Sequence, residues 1–289
     1  MNQNEIREMV SKAYSEALKR SRQGGDACCT PAGTTSTSCA PPPTSATSAT
    51  SIGEAARTAG YGEELAKHAQ AGASSFGCGN PLAFADVRPG ETVLDLGSGA
   101  GFDLLIAADK VGPEGSVIGI DMTDDMIAEA RRNAEQAGHA NVDVRKGLIE
   151  ELPVEDSSVD WVISNCVVNL SPEKERVFAE IRRVLKPGGR FSSYDMVVED
   201  LPQPIREHAA AYAACVAGAV SEDEYLGGLR TAGLVDVRIT ERQVYAVDQI
   251  RGIVAGDLDW AGLDPATLDS ELDALEGKVA SVRVTGRRP

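Results

Sequence analysis

The sequence predicts a doubly wound α/β fold on a mostly parallel seven-stranded sheet, and three observations carry that prediction. Val93-Leu94-Asp95-Leu96 reads as a buried strand and runs straight into Gly97-Ser98-Gly99-Ala100-Gly101, after which Phe102-Asp103 reopens an apolar, helical segment. Strand-like and helix-like segments alternate from Val87 onward, as they do where helices cross over between parallel strands. A second strand, Val117-Ile118-Gly119-Ile120-Asp121, ends in an acid about twenty residues after Gly101. Glycine is needed in such a turn because the backbone bends tightly and a ligand lies against it with no Cβ in the way. The helix start beyond the turn offers unpaired amides, and the acid at the tip of strand 2 suits a ribose diol. Together they point to an adenosine-type ligand.

The chain begins with Ile6, Met9, Val10, Ala13, Tyr14, Ala17 and Leu18 at helical spacing, which predicts a helix over 5–22, closed by Gly24-Gly25. Residues 30–51 are almost all Thr, Ser, Ala and Pro and have little to bury, so a disordered linker is expected there. It separates Cys28-Cys29 from the body and contains Cys39. Helical patches are expected between Gly53 and Ala85, broken at Gly77-Cys78-Gly79-Asn80-Pro81. Strands are read at 92–96, 116–120, 142–146, 159–164 and 190–196, with helices near 102–111, 124–138 and 172–186. Lys186-Pro187-Gly188-Gly189 is expected to close the last helix and turn into strand 5. Two helices near 204–217 and 221–232 precede strands at 235–241 and 279–285, with a solvated, partly helical acidic stretch over 257–276. The expected organisation is an N-terminal helix and Cys pair (1–29), the linker (30–51), a ligand-binding domain (52–241) and a C-terminal region (242–289) that completes or flanks the sheet.

Composition narrows the function. The 289 residues are 42% hydrophobic, enough to fill one α/β core with appendages. A net charge of −16 disfavours nucleic acid and anionic membranes as partners. With no apolar run of membrane-spanning length and no signal-peptide pattern, a cytoplasmic protein is expected. Six cysteines in a reducing compartment are expected to be thiols with a purpose other than structural disulfides.

Dinucleotide enzymes commonly carry Gly-x-Gly-x-x-Gly facing a pyrophosphate. Here the spacing is Gly-x-Gly-x-Gly, preceded by a carboxylate that would repel a pyrophosphate and suits a sulfonium ligand bearing an ammonium. Asp95-x-Gly97-x-Gly99-x-Gly101 resembles the cofactor motif of class I S-adenosylmethionine methyltransferases. Ligands of open α/β sheets bind at the carboxyl ends of strands, which adds Gly147-Leu148-Ile149-Glu150 after strand 3 and Ser164-Asn165-Cys166 after strand 4.

Cys78, Cys166 and Cys215 fall where they can converge above the strand tips. None belongs to a Cys-x-x-Cys pattern, and His68, His139 and His208 show no ligand spacing. Each cysteine alone reads equally as a small buried hydrophobe. Three thiolates without imidazole suit a soft, thiophilic acceptor such as trivalent arsenic, whose lone pair needs no general base to attack a methyl carbon. No His–acid pair near the site stands out in the sequence.

Asp95–Asp103, Asp121-Met122-Thr123, Ser164-Asn165-Cys166-Val167-Val168-Asn169-Leu170-Ser171 and Cys215-Val216-Ala217-Gly218-Ala219 together resemble the arsenite S-adenosylmethionine methyltransferases. Gly77-Cys78-Gly79-Asn80-Pro81 and Ala27-Cys28-Cys29 resemble that family too, and the likeness runs over most of 5–29 and 60–240. The resemblance implies a class I, Rossmann-like fold, S-adenosylmethionine as methyl donor, and As(III) bound by Cys78, Cys166 and Cys215. It further implies a Cys28 or Cys29 thiol in substrate delivery or disulfide exchange, and thioredoxin or glutathione as reductant. Asp95, Gly97, Ser98, Gly99, Gly101, Asp121, Met122, Ile149, Glu150 and Asn165 would hold the cofactor. Leu148 departs from the pattern, standing where the family often has an acid. Two other readings compete: a class I methyltransferase for an organic acceptor with structural cysteines, and a non-catalytic thiol protein that sequesters the metalloid.

Overall fold

The computed structural model describes residues 2–23, 67–72, 80–82, 85–206, 212, 215–255 and 265–289. The linker expected over 30–51, Cys28, Cys29, Cys39 and Cys78 lie outside the described residues. A long first helix, α1 (Gln3–Gln23), precedes the sheet. The core then runs β1 (Thr92–Leu96), α2 (Phe102–Val111), β2 (Ser116–Asp121), α3 (Asp124–Gln136), β3 (Val142–Lys146) and β4 (Val159–Asn165). It continues through α4 (Lys174–Val184), β5 (Leu185–Val198), α5 (Glu222–Thr231) and β6 (Val235–Val244). Two helices, α6 (Val247–Ala255) and α7 (Pro265–Asp273), lead to β7 (Val279–Arg287).

The seven strands lie in the order β3-β2-β1-β4-β5-β7-β6. β1 pairs in parallel with β2 on one side and β4 on the other, whereas β7 runs antiparallel between β5 and β6. The central strands are buried on both faces, which is why β1 is apolar on successive residues instead of alternating. One face is covered by α2 and α3 through Leu104, Ile106, Ile127 and Ala130. The other is covered by α4 and α5, where Phe178 meets Tyr225 edge-on with centroids 5.4 Å apart. Strand order reverses between β1 and β4, so the sheet opens a crevice at their carboxyl ends.

The expected strands and the helices at 102–111 and 124–138 match the structure to within a few residues. Strand 5 differs, for it starts at Leu185 rather than 190. Lys186-Pro187-Gly188-Gly189 does not lead into the strand from outside. It is a bulge within it, since Leu185 already pairs with Val159 and the register shifts before Arg190 meets Trp161. Gly188 N donates to the Arg288 carbonyl at 3.0 Å and Arg288 N to that of Gly189 at 2.9 Å, so the chain end holds the bulge. Of the helix expected over 204–217, a turn at Gln203–Arg206 is described. The helix at 247–255 was not expected; Arg251 ties it to Asp269 and Asp273 of α7. Among the described residues no helix is long and apolar enough to cross a membrane.

β5 also buries an acid. Asp195 accepts a 2.8 Å hydrogen bond from the Tyr225 hydroxyl, and its other oxygen has no partner among the described residues. Burial pushes this carboxyl up to about 7, against the opposing effects of Tyr225 and Lys174. Between about pH 4 and about pH 7 the folded chain therefore holds a proton that the unfolded chain has released, so this group's contribution to stability is lost as pH rises through that window. Asp195→Asn keeps an acceptor for Tyr225 and removes the titration. Urea unfolding should show the variant gaining on the wild type from pH 4 to 7, with the difference constant above.

Candidate active site

The turn after β1 is held in a left-handed backbone, with φ of 63° at Gly97, 52° at Gly99 and 89° at Gly101. At Gly97 a Cβ would strike the Val167 side chain, whereas the space beside Gly99 is open cleft. The turn is braced from the neighbouring strand. Asp121 Oδ2 accepts from Gly99 N at 2.9 Å, its Oδ1 accepts from Thr123 N at 2.8 Å, and Ser98 N donates to the Ile120 carbonyl at 3.0 Å. Asp121 thus shapes the loop as well as facing the cleft, and burial raises its pKa despite these amides.

The cleft beyond the turn encloses about 980 Å³ of space, counting its open mouth. Asp95 lines it at 2% exposure, with no donor to its carboxylate among the described residues. Burial, then the charges of Asp103 and Asp121, pushes the Asp95 carboxyl well above the usual range. Asn165 Nδ2 donates to Asp103 at 3.1 Å, and the buried Ser98 hydroxyl has no partner among the described residues. Met122, Met126, Leu148 and Ile149 supply apolar wall. Three acids around one turn repel an anionic pyrophosphate and are relieved by a cation. The glycine cradle, apolar wall and acids fit an adenosine ligand that carries positive charge.

Glu150 also borders the cleft, but its Oε1 accepts from Ser171 Oγ at 2.8 Å and from Arg7 Nη2 at 3.0 Å. Arg7 belongs to α1 and bridges Glu150 to Glu173. Arg7, Val10 and Tyr14, at i, i+3 and i+7 on that helix, all line the cleft. Leu18 seats the helix against Ala100 and Met126, and Ser11 lies 3.2 Å from the Thr123 hydroxyl. The periodicity of 5–22 marked the helix; only its i/i+3/i+7 pairing of Arg7 and Tyr14 with Val10 hinted that one face was functional.

Cys166 stands at the tip of β4 and borders the cleft, and the Cys215 thiol donates to the Cys166 carbonyl at 2.9 Å. Both cysteines are left-handed, with φ of 57° and 63°, and each is 5% exposed. Such conformations cost non-glycine residues about 1–3 kcal/mol each and cluster at functional sites. Burial, with the Asp195 charge adding to it, pushes the Cys215 thiol up to about 12. The Tyr14 hydroxyl lies 3.9 Å from its sulfur. Cys215 is a free thiol, but Cys166 is disulfide-bonded, which corrects the expectation that all six are thiols. The other predicted site residues, Gly101 apart, line the cleft where they are described; Gly101 caps α2 beside it.

Fold and cleft define a methyltransferase-type α/β domain, and a family model described as a methyltransferase domain matches residues 88–233. An arsenite methyltransferase of Halobacterium salinarum is 49% identical over 181 residues, covering 62% of this chain and 46% of that protein. One from Aquipseudomonas alcaligenes is 38% identical over 188 residues, covering 62% and 54%. The chain thus spans about half the length of these relatives. The crystal structure of an arsenic(III) S-adenosylmethionine methyltransferase from Chlamydomonas reinhardtii superposes with a TM-score of 0.61 at 32% identity, over 78% of this chain and 73% of that one. The chain belongs to the methyltransferase-domain family and, within it, to the arsenite S-adenosylmethionine methyltransferases.

The loop bearing Cys215 is packed against the residues that follow β4. A Cβ on Gly218 would overlap the Asn169 carbonyl oxygen, a backbone atom that cannot swing aside. Gly218→Ala should therefore destabilise the fold by about 1–3 kcal/mol, read as a lower urea midpoint at unchanged slope.

Proposed function

We propose that this chain transfers methyl groups from S-adenosylmethionine to trivalent arsenic bound by cysteine thiolates, as a detoxification reaction. The observation that carries the reading is the contact between Cys166 and Cys215, two strained cysteines brought together at a carboxylate-rich glycine cleft. S-adenosylmethionine, when bound, supplies a methyl group carried on a sulfonium. The Gly97–Gly101 backbone makes room for it, and Asp121 offers its remaining lone pairs to the ribose. Met122, Ile149 and Leu148 face the adenine, with Leu148 giving packing where relatives in the family often have an acid. Asp95 and Asp103 complement the positive end, Asp103 being oriented by Asn165. Glu150 acts through Arg7: it fixes the helix that covers the cleft more than it grips the ligand.

Cys78, Cys166 and Cys215 are the proposed arsenic ligands. The Cys166 disulfide must first take up two electrons and two protons, a need that thioredoxin or glutathione in a reducing, cytoplasmic setting would meet. Soft sulfur favours the metalloid over hard cations, and arsenic keeps the lone pair that takes the methyl group, so no general base is required. Arsenic then rises formally from the trivalent to the pentavalent state, and two electrons from a thiol pair return it. With a net charge of −16, neither nucleic acid nor an anionic membrane is part of this reading.

Serine is nearly isosteric with cysteine but offers a hard oxygen. Cys215→Ser should bind S-adenosylmethionine as the wild type does in titration calorimetry and lose arsenite methylation by more than about tenfold. Wild-type rates in this variant would remove the thiolate site from the account.

Cys28 and Cys29 are proposed to serve delivery and disulfide exchange, since a thiol covalently linked to the site acts at high effective concentration. The Cys28→Ser, Cys29→Ser double variant should lose turnover on arsenite and keep more activity on methylarsenite, which needs fewer thiols. Equal losses on both substrates count against that role, and Cys39→Ser should be silent.

A further inference from the structure

The fold brings two of the three histidines together with an acid, although nothing in their sequence spacing announces it. His68 precedes the short helical turn Ala69–Gly72, Asp109 lies in the last turn of α2, and His139 follows α3. His68 Nε2 is 2.7 Å from Asp109 Oδ2, and His139 Nε2 is 3.4 Å from Asp109 Oδ1. The potential ligand atoms of all three residues lie within 4.8 Å of one another. Their backbones are anchored. Gly72 N donates to the His68 carbonyl at 2.9 Å, and His139 N donates to that of Ala134 at 3.0 Å after the left-handed Gly138.

We propose that His68, Asp109 and His139 form a binding site for a divalent transition-metal ion of the zinc class, separate from the active-site cleft. Two imidazoles and one carboxylate are a complete protein ligand set for such an ion, with the fourth position left to water. Around a tetrahedral ion with bonds of zinc length, ligand atoms stand about 3.3 Å apart. The His139 Nε2–Asp109 Oδ1 spacing is close to that value; His68 Nε2 meets the other oxygen, Oδ2, so its 2.7 Å contact must open as the carboxylate turns one oxygen toward both imidazoles. A hydrogen bond to Asp109 accounts for the buried His68 by itself. It does not account for His139, which turns its Nε2 toward the other oxygen of the same carboxylate.

The competitor is Lys67, whose ammonium lies 2.6 Å from Asp109 Oδ1. Its side chain is 60% exposed, so it can swing into water as the ion enters. Asp109 lies near the end of α2 remote from the glycine turn, about 12 Å along the helix axis from Gly101. A bound ion would cross-link three segments behind the cofactor loop and raise stability by binding the folded state.

Cobalt(II) is the probe, because its visible spectrum separates nitrogen and oxygen ligands from sulfur. Titrating the untagged full-length chain, its thiols first blocked by alkylation so that cysteine sites cannot compete, with Co²⁺ should give one equivalent with visible d–d bands and no thiolate-to-cobalt charge transfer. The same ion should raise the wild-type Tm. Asp109→Asn and His139→Ala should each lose more than about tenfold in Co²⁺ affinity and lose the Tm increase. His139 is only partly buried, so its variant tests the site even if a His68 variant fails to fold. No Co²⁺ bound by the wild type, a thiolate spectrum, or undiminished binding in both variants would overturn the site.

Discussion

Three carboxyls crowded at the tips of β1 and β2 are the constraint around which the cleft is built. Asp95 is buried with no donor among the described residues, Asp103 follows eight residues later at the start of α2, and Asp121 closes from β2. Backbone amides of Gly99, Met122 and Thr123 and the Thr123 side chain answer Asp121, and an Asn165 amide answers Asp103. Holding like charges together out of water is costly unless something positive joins them. The energetic need of the site and the charge of a sulfonium ligand therefore match. The same logic places Arg7 where it is. A cation free in the cleft would neutralise the acids, but Arg7 is spent on Glu150 and Glu173, and so holds α1 over the cleft without filling the ligand's role.

Strain marks the acceptor side as charge marks the donor side. Cys166 and Cys215 both hold left-handed backbones, which a β-carbon normally avoids, and packing enforces them. Gly218 lets the Cys215 loop press against Asn169, Asn169 Nδ2 donates to the Met196 carbonyl at 2.6 Å, and the Cys215 thiol reaches the Cys166 carbonyl. A high thiol pKa keeps Cys215 protonated until a soft partner arrives, which protects a buried sulfur from casual chemistry.

Much of this was legible in the sequence, for reasons that are local. Buried parallel strands announce themselves as unbroken apolar runs, and a strand that stops in three alternating glycines leaves few conformations open, so β1, α2, β2 and the cofactor residues from Asp95 to Asp121 could be read directly. What escaped depends on distant partners. The early start of β5 needs Val159 and Arg288, Glu150 looks like a free ligand until Arg7 arrives 143 residues away, and no spacing rule joins His68 to His139. The state of Cys166 likewise depends on a second cysteine and not on its neighbours.

The central claim is that a carboxylate-lined cofactor cleft and a cysteine acceptor site act together on trivalent arsenic. The most direct measurement supplies the purified chain with methyl-labelled S-adenosylmethionine, arsenite and a thiol reductant, and follows label into arsenic by separating the arsenic species. The account predicts labelled methylarsenicals that form only when both arsenite and reductant are present. Cofactor binding without label on arsenic, or equal label transfer to an organic acceptor when arsenite is omitted, would contradict it.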